Sequence, residues 1–163
     1  MKILFLDVGG VLNNGRNDSE LYSGSRVKQL NKLLEQTDLN IVWITSRLRI
    51  DSEELILEDI ISFGFKYPKR IIGKITEQNQ VWSLSIENYD KMKSGLIKKY
   101  LRINKPEYYV ILDDDQKIYN KDLNLIVVDN FGITQQIINK IKNQINLKEN
   151  YETINNGQFK ESG

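Results

Sequence analysis

The feature that most constrains this chain is an alternation: short apolar, β-branched runs that stop at an acid or a hydroxyl, separated by stretches of helical periodicity. The runs are Lys2 to Asp7, Asn40 to Thr45, Arg70 to Ile72, Tyr108 to Leu112 and Leu125 to Val128. The first ends at Gly9-Gly10, as a strand buried on both faces would. Val27, Leu30, Leu33 and Leu34 recur at helical spacing after Ser23 or Ser25, either of which could cap the helix. Ser52 opens a second helix that Gly64 is placed to end. Lys91 to Leu101 and Thr134 to Ile145 read as two more, while Gly73 to Asp90 has no clean period and reads as a loop or small excursion. Strands that alternate with helices, joined by connections of a dozen or more residues, predict an α/β fold. It is a Rossmann-like three-layer sandwich with a central, mostly parallel sheet, spanning residues 1–146. From Leu147 onward the sequence is polar and Asn-rich and predicts a C-terminal tail, 147–163.

Composition narrows the chemistry. The 163 residues include neither cysteine nor histidine. That excludes disulfides, thiolate nucleophiles, iron–sulfur sites, imidazole bases and the common zinc motifs, and leaves carboxylates, hydroxyls and amines. The net charge of +1 provides no global field toward nucleic acid, so any such contact must be local. The apolar run at the N-terminus meets Asp7 too soon for a signal segment, and a cytoplasmic protein with no membrane association is expected. No residue pattern specifies an oligomeric state.

In this architecture ligands bind beyond the carboxyl ends of the strands. Four ends carry candidates: Asp7, Thr45-Ser46, Asp113-Asp114-Asp115 and Asp129. Asp7 and Asp113 converge if the first and fourth strands are neighbours, and paired carboxylates without histidine form a hard-oxygen site of the kind Mg²⁺ prefers. Three consecutive acids repel one another unless a cation compensates them. The plainer alternative is that each acid caps a turn or the next helix. Gly9 and Gly10 either make a tight turn or let backbone N–H groups approach phosphate oxygens. Thr45, with Ser46 as the alternative, could donate to a phosphoryl group. Arg47 and Arg49 either hold a further phosphate or are simply solvated.

Taken together, FLDVGGVLN, WITSR, a helix bearing Lys93, and VILDDD resemble motifs I to IV of the haloacid dehalogenase-like (HAD) phosphohydrolases. LDVGGVLN, YVILDDD and the later Gly132-Ile133-Thr134 look most like the small HAD domain of bacterial and phage RNA-repair proteins. The resemblance runs from about Met1 to Ile145. It implies that Asp7 is a nucleophile forming an aspartyl-phosphate, that Thr45 and Lys93 assist it, and that Asp7, the Gly9 carbonyl, Asp113 and Asp114 hold Mg²⁺. Lys91 competes with Lys93 for the motif position. It also implies a second acid two residues after the nucleophile, where this chain has Gly9; a positioned acid/base contributes about 10²–10⁴-fold. The intervals that would carry a cap are short, which implies a minimal cap or none and a site open to a bulky phosphorylated substrate such as an RNA or DNA end. Trp43, Trp82, Tyr89 and Tyr119 are candidates for base stacking or for core. The alternative is a catalytically inactive HAD-like binding or interaction module.

Overall fold

In the computed structural model, residues 1–13, 22–49, 51–75 and 86–158 are described. Five strands form one parallel sheet in the order β3-β2-β1-β4-β5, with β1 at Lys2–Leu6, β2 at Asn40–Trp43, β3 at Ile71–Lys74, β4 at Tyr108–Asp113 and β5 at Leu125–Val127. Four α-helices lie among the described residues: α1 (Gly24–Glu35), α2 (Glu53–Ser62), α3 (Ile86–Asn104) and α4 (Gln135–Gln158). The fold is the Rossmann-like α/β arrangement that the alternation predicts.

Side chains of a strand alternate between its two faces, and the core divides accordingly. Leu4, Leu6, Val110 and Leu112 pack with Val27, Leu30 and Leu34 of α1, Ile56 and Ile60 of α2, and Ile138 and Ile141 of α4. Ile3, Phe5, Val42 and Ile111 turn to the other face and meet Ile97 of α3, with Leu96 and Tyr100 beside it. Both faces of the central strands are buried, which is why those strands read as continuous apolar runs rather than alternating ones.

Local signals place the helix ends. Ser52 Oγ accepts from the Leu55 N–H and caps α2, and Gly64 follows it at φ 94°, a left-handed turn that glycine adopts without strain. Ser23, rather than Ser25, occupies the cap position of α1. Two boundaries differ from the sequence reading. Helix α3 begins at Ile86 rather than Lys91 and runs to Asn104, since its first turn carries too few apolar residues to show a period. Helix α4 continues through the stretch read as a tail: the polar residues after Leu147 contain no proline, and no glycine before Gly157, so nothing breaks the helix although Leu147 and Tyr151 face solvent. Most of the two intervals where a cap would fall, residues 14–21 and 76–85, lies outside the described residues. Among the described residues no helix is long and apolar enough to cross a membrane.

Candidate active site

The sheet order puts β1 between β2 and β4, so the direction of winding reverses between β1 and β4 and opens a crevice at their carboxyl ends. Leu6 is in register with Leu112, and the Asp7 N–H donates to Leu112 O at 3.0 Å, so Asp7 and Asp113 emerge side by side. The two-residue period decides which way they face. Phe5 and Ile111 belong to the α3 layer, and Asp7 and Asp113, each two residues further on, face the same helix.

Helix α3 meets them with Lys93, one turn before Ile97 on the buried stripe. The Lys93 side chain is 4% exposed, and its Nζ lies 3.1 Å from Asp113 Oδ2 and 3.5 Å from Asp7 Oδ1. Asp113 is fixed on both oxygens: Oδ2 also accepts the Tyr119 hydroxyl at 2.6 Å, and Oδ1 accepts the Asp115 N–H at 2.9 Å. Thr45 is buried beside the site, and its Oγ1 accepts the Arg47 N–H at 3.3 Å.

One oxygen from each of Asp7, Asp113 and Asp114 lies within 4.8 Å of the others. Asp7 and Asp113 are buried, whereas Asp114 reaches solvent. Among the described residues Asp7 Oδ1 is buried with no hydrogen-bond partner, its contact being the ion pair with Lys93. Burial pushes the Asp7 carboxyl up to about 7; Lys93 and the Thr45 hydroxyl counter it, and the charges of Asp113 and Asp114 reinforce it. Asp114 is raised as well, by partial burial and then by Asp113. Crowded acids with a buried oxygen that has an ion pair but no hydrogen bond fit a hard divalent cation, to which that oxygen would donate a lone pair and which would relieve the repulsion.

The glycines differ. Gly10 sits at φ 69°, and a Cβ added there would lie 2.1 Å from Asp114 Oδ2, so the Asp114 carboxylate packs directly on the Gly10 backbone. Gly9 has no such constraint; a Cβ there would meet only Asp7 Oδ2, at 3.6 Å.

Other candidates lie elsewhere. The Arg47 guanidinium is held by Asp51 (Nε to Oδ2, 2.7 Å) and Asp59 (3.6 Å) and lies 5.0 Å from the Tyr22 ring centroid, so a phosphate would compete with these partners. Ser46 opens the 3₁₀ turn Ser46–Arg49, and the side chains of Arg49 and Lys91 lie outside the described residues. Asp115 and Asp129 cap turns, accepting the N–H groups of Lys117 and Phe131. Of the aromatics considered for base stacking, Trp43 is fully buried and Tyr119 is buried on Asp113, so both belong to the interior. Trp82 and the Tyr89 side chain lie outside the described residues.

The sequence reading missed Arg26. It is 6% exposed, and its guanidinium donates to Gly10 O at 2.6 Å and to the carbonyls of Asn13 and Asn130. One side chain therefore ties the loop after β1 to the loop after β5. Its signal was a cation four residues before Leu30 on the apolar stripe of α1.

These features define the class: a Rossmann-like α/β domain with a buried acidic centre at the switch point of its sheet. The chain belongs to the family described as the HAD domain in Swiss Army Knife RNA repair proteins, whose profile matches residues 3–137. Searches of curated proteins and of solved structures returned no match.

Proposed function

We propose that this domain is a Mg²⁺-dependent phosphomonoesterase or phosphotransferase acting through an aspartyl-phosphate on Asp7, with a large substrate such as a nucleic acid end. The observation that carries the reading is the convergence of Asp7, Lys93, Asp113 and Asp114 at one strand-end crevice. Membership of an RNA-repair family supports the substrate class. Asp7, Asp113 and Asp114, completed by the Gly9 carbonyl, would hold the cation. When bound, it would neutralise charge on the acids and on a phosphate oxygen.

In the first step an Asp7 carboxylate oxygen attacks phosphorus, the ester P–O bond breaks, and the leaving oxygen takes a proton from water because position 9 has no side chain to give one. In the second step water attacks phosphorus, the P–O bond to Asp7 breaks, the attacking water gives up a proton to solvent, and phosphate leaves with the carboxylate restored. Lys93 offsets the charge on Asp7 and the phosphoryl group, Thr45 donates its hydroxyl, and the backbone N–H groups of the Gly9–Gly10 turn cradle phosphate oxygens. Arg47 would contact a further phosphate only by giving up Asp51 and Asp59, and Ser46 and Arg49 belong to the same turn after β2 as further candidates for that contact.

The absent acid at Gly9 favours one other reading, a non-catalytic module that keeps the pocket for binding. Hydrolysis of an aryl phosphate separates the two, because a good leaving group needs little protonation. Mg²⁺-dependent turnover that Asp7→Asn abolishes, with radiolabelled phosphate trapped on the unaltered protein, is the expected result. No turnover with or without Mg²⁺ would leave the binding module.

A further inference from the structure

Phe131 is the most exposed large apolar side chain among the described residues, at 79%. It does not sit on a loose loop. The Phe131 N–H donates to Asp129 Oδ1 at 2.9 Å, and the Gly132 N–H donates to Asp129 O at 2.9 Å, which closes the turn on both sides of the ring. Gly132 takes φ 74°, and Arg26 passes over it; an added Cβ would lie 3.0 Å from three Arg26 side-chain atoms. That arginine binds Asn130 O with one nitrogen and Gly10 O with the other. On the opposite flank the Val128 N–H donates to Asp113 O at 2.9 Å. The turn that carries Phe131 is thus fastened both to the loop after Asp7 and to the strand end that carries Asp113.

We infer that Phe131 is a stacking platform for the nucleobase next to the phosphate that enters the acidic site. This deepens the reading proposed above and rests on its substrate class. An aromatic ring held out in water gains nothing for folding. A pinned backbone, however, lets the ring receive a planar partner without a further loss of loop entropy. Every base has a π-face, so such a platform discriminates a base-bearing end from a base-free phosphate ester but reads no sequence. It assumes the stacking role for which Trp43 and Tyr119 are too deeply buried.

The test is equilibrium binding, read by fluorescence anisotropy, on the full chain carrying Asp7→Asn so that no substrate is consumed. The probes are single-stranded oligoribonucleotides phosphorylated at the 5′ or the 3′ end, each with a normal or an abasic terminal nucleotide. Phe131→Ala should weaken binding of the base-bearing end by about 5- to 150-fold, Phe131→Trp should retain it, Phe131→Leu should behave like alanine, and the abasic end should respond to none of them. Because Phe131 lies outside the core, melting temperatures should match among these variants. If Phe131→Ala weakens base-bearing and abasic ends equally, or neither, or if no probe binds, the platform is excluded. Phe131-dependent discrimination in a protein that hydrolyses no phosphate ester would keep the platform and remove the phosphatase.

Discussion

Position 9 is where the chain departs from the phosphohydrolases it resembles, and the backbone there is free to accept a side chain. The added Cβ makes only an ordinary contact with Asp7 Oδ2, and the residue lies outside the left-handed region. Gly9→Asp is therefore expected to fold normally and to raise initial rates on an alkyl phosphate by about 10²-fold or more, with a smaller gain on aryl phosphates. Equal gains on both would mean that protonation of the leaving oxygen is not what position 9 lacks. Asp7 supports a second expectation, with a sign opposite to that of most carboxylates. Its folded value, about 7, lies above the ordinary 3.8, so the native state holds the proton more tightly than the unfolded chain. The stability this confers is complete below about pH 4 and is lost as pH rises toward 7. Thermal melts in a chelating buffer should show that fall, and Asp7→Asn should flatten it.

At the scale of elements, two helices reach the site from opposite faces of the sheet with one buried cation each. Helix α3 supplies Lys93, which meets carboxylates, and the next residue, Ser94, accepts the Asn120 N–H at 3.3 Å, tying the helix to the segment after β4. Helix α1 supplies Arg26, whose hydrogen bonds go to backbone carbonyls of two loops. Without the guanidinium those carbonyls lose charged donors, so Arg26→Met should cost about 2–4 kcal/mol in urea unfolding. It should also increase hydrogen exchange at residues 9–13 and 129–132 together, because one side chain holds both loops. Faster exchange in only one loop would show that the other is fastened independently.

For the molecule as a whole, a cation held at the acidic centre would link ligand binding to folding. Mg²⁺ at about 100 times its dissociation constant should stabilise the protein by about 2.7 kcal/mol, seen as a rise in Tm that calcium-free buffer preserves and a chelator reverses. Asp113→Asn keeps an acceptor for Tyr119 but removes the charge, so it should abolish most of that rise; an unchanged rise would place the cation elsewhere. Much of this centre was legible in the chain. Apolar runs that stop at Asp7, Thr45 and Asp113 mark strand ends, because a strand buried on both faces carries apolar side chains along its length and a buried polar one is tolerated only where partners at the sheet's edge satisfy it. Turn capping is the plain role of a strand-end acid, and Asp115 and Asp129 take it; local pattern alone does not separate them from Asp7 and Asp113, which in the sequence only the family resemblance singles out. Strand order made that distinction: pairing of β1 with β4 brings Asp7 and Asp113 together, and their face brings Lys93 to both. The same packing buried Tyr119 against Asp113, turned Arg26 inward and left Phe131 in solvent. Periodicity and strand-end chemistry are local and can be read from neighbours along the chain. Which ends meet, and which aromatics stay exposed, depends on contacts between distant segments whose partners are chosen only when the layers close.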